Sequence, residues 1–190
     1  FLPVDNSLDE DSICYLAGVG EDISFDVAVM ERFACKVIGV DPTPRAALYV
    51  ADHAPTSYKL VPVGLGGTNG VARFYGPRNP EHVSHSMTGL QGTANYFEAD
   101  VVTLETLMRS QGHSHIDLLK LDIEGAQHAV LNDLLDKPSL RPRIVCVEFD
   151  QPEPIRTTYR SVRRMLTHYD LLALDGFNML FRLRTGDGRA

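Results

Sequence analysis

The chain has 190 residues, 44% hydrophobic and 23% charged, without a low-complexity tract, which suits one globular domain with a full core. Its net charge of −7 argues against a broad nucleic-acid footprint or an anionic-membrane surface. No apolar run is long enough to cross a bilayer and no signal peptide is visible, although a segment removed ahead of Phe1 would leave no trace.

Short apolar runs alternate with helical patterns from end to end. "ICYLA" (13–17) reads as a buried strand and "DISFDVAVMERF" (22–33) as an amphipathic helix. "KVIGV" (36–40) is the next strand, followed by a short helix from Pro44 and by "YKLVPV" (58–63). The interval 64–101 reads as irregular. Its length and its Gly, Pro and His content suggest a mobile lid or substrate insert within a single domain, 1–190. A helix near 103–111, a strand at 118–123 and a helix at 126–136 come next. "RIVCVEF" (143–149) is a strand and "TTYRSVRRMLTHY" (157–169) a helix. "DLLALDG" and "FNMLFRLR" form a closing hairpin at Asp175-Gly176. This alternation predicts a parallel sheet covered on both faces, with one antiparallel strand from the hairpin and ligands beyond the strands' carboxyl ends.

Cys14, Cys35 and Cys146 show neither CxxC nor Cys/His spacing. Buried reduced thiols in a reducing, cytoplasmic setting are expected.

"YLAGVGEDISFD" (15–26) sets Gly18-Val19-Gly20 at the first strand-to-helix turn, where glycine permits close approach of backbone to ligand. Asp41 ends the second strand, beside Pro42, and can accept hydrogen bonds from both ribose hydroxyls; taken alone it would read as a helix cap. A dinucleotide fingerprint wants a third glycine where Ile23 stands. Glu21 and Asp22 occupy the first turn, where a pyrophosphate would rest. Carboxylates there would repel phosphates and suit ammonium and sulfonium charges, so S-adenosylmethionine fits better than NAD. Acids at a helix start also favour the macrodipole in their own right.

With "YLAGVGEDISFD", "VIGVDPTP" and "IDLLKLDIEGAQHAVL" in register, the chain resembles the FkbM-type branch of class I S-adenosylmethionine-dependent methyltransferases, from about Ile13 to Phe181. The resemblance implies a Rossmann-like α/β fold: a seven-stranded, mostly parallel sheet with helices on both faces and a reversed last strand. It implies Gly18 and Gly20 under the methionine part of the cofactor, Asp41 on the ribose, and Val63-Gly64-Leu65 beside the adenine. Leu16 departs from the acid usual two residues before the first glycine, so Glu21 or Asp22 is expected to take the ammonium.

"LLKLDIEGAQ" (118–127) carries Lys120, Asp122 and Glu124 on one face of a strand that looks central. Unpaired buried carboxylates are costly, so Asp122 is expected near the reaction centre, with Lys120 and Glu124 as ion-pairing groups. Glu148 and Asp150 end the neighbouring strand in the same way. A hydroxyl nucleophile needs a general base, and Asp122, Glu148 and His85 of "PEHVSHSM" are the candidates; His82 and His85 otherwise read as solvated loop histidines. Metal held by Asp122 and Asp150 has no supporting ligand spacing, so no metal is expected. Arg156, Arg160, Arg163 and Arg164 share a helix face, read as solvated or, alternatively, as a dock for an anionic substrate. The expected activity is O-methylation of a small-molecule or sugar hydroxyl, without nucleic-acid or membrane partners and with the oligomeric state open. An NAD-dependent oxidoreductase and a silent nucleoside-binding domain are the alternatives.

Overall fold

The computed structural model describes residues 8–76, 95–149 and 154–186. The first half runs β1 (Ile13–Ala17), α1 (Ser24–Phe33), β2 (Lys36–Val40), α2 (Pro44–His53), β3 (Lys59–Val61), β4 (Gly64–Leu65) and β5 (Gly70–Tyr75). It continues with β6 (Tyr96–Val102), α3 (Leu104–Ser110), β7 (Leu118–Leu121), α4 (Gln127–Asp136), β8 (Ile144–Glu148), α5 (Ile155–Met165), β9 (Tyr169–Asp175) and β10 (Asn178–Leu183). Local chemistry sets several boundaries. Thr43 caps α2 through Ala46 N–H, with Pro44 supplying a φ already suited to the first turn. Thr103 caps α3 in the same way through Thr106 N–H.

The main sheet has seven strands in the order β3-β2-β1-β7-β8-β10-β9. All pairings are parallel except those of β10, which runs antiparallel to both β8 and β9. The expected reversed last strand is therefore present. Registers align the strand ends: Ala17 faces Val40 and Leu121, and Leu121 faces Val147. The turns after β1, β2 and β7 consequently open on one edge, where β8 also ends.

Two apolar clusters sandwich this sheet. Tyr15, Leu119, Leu121, Val145 and Phe181 pack on one face with α3, α4 and α5, through Leu107, Leu131 and Met165. Cys14, Leu16, Val37 and Leu118 pack on the other with Val29 of α1 and Ala46 of α2. A fully buried leucine contributes about 2 kcal/mol, so β7, with Leu118, Leu119 and Leu121 all at 0% exposure, anchors both clusters. All three cysteines are free thiols. Cys14 and Cys35 are buried with their sulfurs 3.6 Å apart, and Cys146 is half-buried.

The interval 64–101 corrects one expectation, because its described ends are regular. β4, β6 and β5 form a second sheet of three strands, in that order. "GVARFY" and "YFEADVV" pair antiparallel, so that Phe74 stacks on Phe97, Tyr75 meets Tyr96, and Arg73 binds Glu98 at 3.2 Å. Period-2 alternation in both runs carries this pairing. His82, His85, Gly89 and Gly92 lie outside the described residues.

At the sheet's amino edge, Asp117 is buried; its carboxylate accepts the Ile13 N–H at 3.0 Å and the Arg143 Nη2–H at 2.7 Å. At the side edge, β9 exposes Leu171, Leu172 and Leu174, near the similarly exposed turn residue Phe177. Among the described residues, no helix is long and apolar enough to cross a membrane.

Candidate active site

The turns after β1, β2 and β7, together with Gly64, Leu65 and Phe74, line a cavity of ≈ 420 Å³ on the carboxyl edge of the main sheet. Gly18 and Gly20 adopt φ of +87° and +55°, conformations that favour glycine. A Cβ on Gly18 would stand 1.7 Å from the carbonyl oxygen of Asp122. The β1 and β7 turns touch only because no side chain intervenes.

Asp41 is buried at the end of β2, and its carboxylate is fully engaged. Oδ2 accepts the N–H groups of Val19 and Gly20, both at 2.9 Å; Oδ1 accepts the Thr43 N–H at 2.8 Å and the Thr43 hydroxyl at 2.6 Å. All four acceptor sites of the carboxylate are in use, so Asp41 fixes the glycine turn from the neighbouring strand. Pro42 continues the wall.

The two acids after the glycines differ in their pairing. Glu21 forms a two-pronged pair with Arg45, Nε to Oε1 at 2.9 Å and Nη2 to Oε2 at 2.8 Å. Its charge is therefore already met. Asp22 is exposed and accepts the Ser24 N–H at 2.8 Å, and these Ser24 hydrogen bonds hold its carboxyl below the usual range. It remains an open negative charge on the cavity rim.

After β7, Asp122 pairs with Lys120, Oδ2 to Nζ at 3.1 Å, whereas the sequence reading sets Glu124 beside this lysine. About a third of the Asp122 side chain, 34%, stays exposed. Glu124 has φ of +44°, an uncommon conformation for a side-chain-bearing residue, and Gly125 follows at +93°. Gln127 Oε1 accepts the Gly125 N–H at 2.7 Å and secures this turn. Phe25, Lys120 and Asp122 also border a smaller cleft of ≈ 90 Å³, whose other walls include Glu148, Asn178 and Met179. The structure thus brings Asp122 and Glu148 to adjoining spaces. His85 and Asp150 lie outside the described residues.

Sequence reading missed Thr43, Arg45, Phe25 and Phe74. Thr43 follows Asp41 by two residues, a spacing common in side-chain-capped turns and a usable signal. Phe74 comes from the second sheet, and no local signal links it to the cavity.

A family model of the methyltransferase FkbM domain matches residues 16–172. The chain belongs to this family. Its members are S-adenosylmethionine-dependent methyltransferases, and S-adenosylmethionine is the cofactor. Similar solved structures include an rRNA methylase from Streptococcus thermophilus, with 13% identity, TM-score 0.51, and coverage of 94% of this chain and 90% of that one. A Methanococcus jannaschii fibrillarin, described as a pre-rRNA processing protein, has 10% identity and TM-score 0.54, covering 100% of this chain and 72% of that one. Human methyltransferase-like protein 13 in complex with SAH has 10% identity and TM-score 0.50, covering 95% of this chain and 75% of that one. At these identities the likeness establishes a shared fold. Among curated proteins, none matches the sequence.

The cavity's chemistry fits the FkbM family's cofactor. Leu65, Pro42 and Phe74 offer apolar walls to a purine, and Asp22, Asp122 and Glu124 offer carboxylates to a ligand with two positive centres.

Proposed function

We propose that this FkbM-family enzyme methylates a hydroxyl oxygen of a small molecule or sugar, with Asp122 at the reaction centre and Glu148 on the acceptor side. The observation that carries the reading is the position of Asp122: partly exposed at the end of β7, it borders both the cofactor cavity and the ≈ 90 Å³ cleft beyond it. A cleft of that size admits a single hydroxyl-bearing arm rather than a bulky ring system.

The bound cofactor supplies an electrophilic methyl group. The chain's contribution is alignment of an acceptor oxygen with that methyl, and removal of the acceptor's proton. Asp122 can accept the hydroxyl's hydrogen bond while Lys120 fixes the carboxylate's orientation. Glu148 and Asn178 offer further polar contacts to the same arm, and His85 remains an alternative base. On the cofactor side, Gly18, Val19 and Gly20 would pass under the methionine part and Asp22 would meet its ammonium; with Glu21 bound to Arg45, that contact falls to Asp22. Asp41 would reach the ribose by exchanging a loop or Thr43 donor for a ribose hydroxyl. Pro42, Gly64 and Leu65 would flank the adenine. The segment 64–101 would cover the acceptor within the single domain.

Two measurements test the reading. Calorimetry should detect S-adenosylhomocysteine and not NADH. Incubation with methyl-labelled cofactor and hydroxylated acceptors should yield base-stable methyl ethers; label appearing only on nitrogen would reject O-transfer. A second reading, an RNA acceptor, draws on Arg156, Arg160 and Arg163. All three are exposed on α5 and lack an ion pair among the described residues. The similarity to an rRNA methylase and a fibrillarin is consistent with it. Salt-sensitive RNA binding lost on replacing these arginines would favour it over a small acceptor.

A further inference from the structure

Five carboxylates line the cofactor cavity, those of Glu21, Asp22, Asp41, Asp122 and Glu124, against one basic side chain, Lys120. Two of the acids are fully committed, Glu21 to Arg45 and Asp41 to the glycine turn and Thr43. The cofactor carries two positive centres, the ammonium and the sulfonium, and a single negative one, the carboxylate of its methionine part. Acids are abundant for the first two. Among the described lining residues, only Lys120 matches the third.

The placement of Lys120 supports that match. It projects from the middle of β7 toward the face that carries α1, and its Nζ lies 3.5 Å from the Gly18 carbonyl oxygen and 3.1 Å from Asp122 Oδ2. Its ammonium thus sits beneath the glycine turn, where the methionine part of the cofactor belongs. An ammonium has three N–H donors, and these two contacts leave one of them for a ligand. The residue in register on β1 is Leu16, 1% exposed, and on β8 it is Cys146, so neither flanking strand neutralises the charge directly. Ser24 hydrogen bonds are the main cause of the lowered Asp22 carboxyl and burial of the raised Asp26 carboxyl, and at both the charge of Lys120 adds a smaller downward pull. An acid at position 16 would sit beside Lys120 and compete for it; leucine leaves the ammonium facing the turn.

We infer that Lys120 is a cofactor-binding residue: its ammonium grips the carboxylate of the methionine part of S-adenosylmethionine. The anchor is then a cation on β7, while Asp22 faces the ammonium from α1's approach. Lys120 thereby joins two tasks in one group, holding the cofactor's tail and orienting Asp122 toward the acceptor. This inference rests on the cavity being the cofactor site.

The test compares three ligands on the wild-type protein and on Lys120→Met by calorimetry. They are S-adenosylhomocysteine, its decarboxylated analogue, and 5′-methylthioadenosine, which lacks the whole amino-acid part. Loss of a charge-assisted contact should weaken S-adenosylhomocysteine binding by roughly tenfold to a hundredfold in Lys120→Met, while 5′-methylthioadenosine binds both proteins equally. Decarboxylation should cost the wild type a similar factor, and the decarboxylated analogue should not distinguish the two proteins. Lys120→Arg should recover part of the affinity. Unchanged S-adenosylhomocysteine affinity in a folded Lys120→Met would overturn the proposal, as would an acceptor KM that rises alone. If Lys120→Met does not fold, equal wild-type affinity for S-adenosylhomocysteine and its decarboxylated analogue is still enough to reject it. Failure of the wild type to bind any of the three would instead reject the cavity as the cofactor site.

Discussion

β7 has an aspartate at each end, Asp117 just before Leu118 and Asp122 just after Leu121, and the two are held in opposite ways. Asp117 is buried at the amino edge, tied to the Ile13 N–H and to Arg143, with His115 Nε2 at 3.4 Å. Asp122 stands at the carboxyl edge with one lysine beside it and a third of its side chain open. The first joins β1, β7 and β8 where the sheet begins; the second faces the cavity and the cleft beyond it. Residue type and strand are the same. What separates an acid tied into the frame from one left open to a cavity here is how many donors the surroundings supply.

The largest effect tests the structural half of that contrast. Asp117→Ala leaves the Ile13 N–H and Arg143 without their partner, and a loss of about 3 kcal/mol in urea unfolding is expected. A loss below about 1 kcal/mol would remove Asp117 from the framework. Asp122→Asn tests the other half. Shape and some hydrogen bonding persist, so S-adenosylhomocysteine affinity and stability should stay near wild type while turnover falls by roughly two orders of magnitude. Near-normal turnover would take Asp122 out of the chemistry, and lost cofactor affinity would make it a cofactor ligand.

Asp26 adds a third kind of acid, buried and, among the described residues, without a cation in contact. Tyr58 donates its hydroxyl to Oδ1 at 2.6 Å, and burial raises the carboxyl to about 6 despite that bond and the more distant Lys120; neighbouring Asp22 adds to the rise. The native pKa thus lies above the unfolded one. Asp26 contributes stability that is fully present below about pH 4 and lost as pH rises through about 6. Asp26→Asn cannot ionise, so its stability relative to wild type should increase by about 2 kcal/mol between pH 4 and 6, read from urea melts. A pH-independent difference would mean that Asp26 titrates normally. The smallest effect belongs to Glu21→Gln. Its pair with Arg45 is about 40% exposed, so stability should change by less than about 0.5 kcal/mol and cofactor affinity hardly at all.

Much of the frame was legible because it is written locally. Alternating apolar runs marked the strands of the main sheet, and Gly18, Gly20 and Asp41 marked the edge on which the cavity lies. What stayed hidden depends on residues far apart in the chain. Glu21 finds Arg45, and Asp26 finds Tyr58 only because Gly39 leaves room: a Cβ there would lie 2.0 Å from the tyrosine hydroxyl. Arg73 and Glu98 meet across a pairing whose intervening segment gives no hint of it. The four donors on Asp41 likewise come from two separate turns, so a residue read as a ribose acid or a local helix cap also holds the glycine turn of the neighbouring strand.

The outer strand β9 has a consequence for how the protein behaves at high concentration. An edge that displays Leu171, Leu172 and Leu174 beside backbone groups unpaired among the described residues is a template for another strand, and in a crowded solution it invites aggregation. Two features restrain it. The register of β9 on β10 slips between Leu180 and Phe181, breaking the regular ladder, and an aspartate closes each flank of the apolar run, Asp170 and Asp175. These acids serve as gatekeepers, and replacing Asp175 would cost solubility while leaving the cavity untouched.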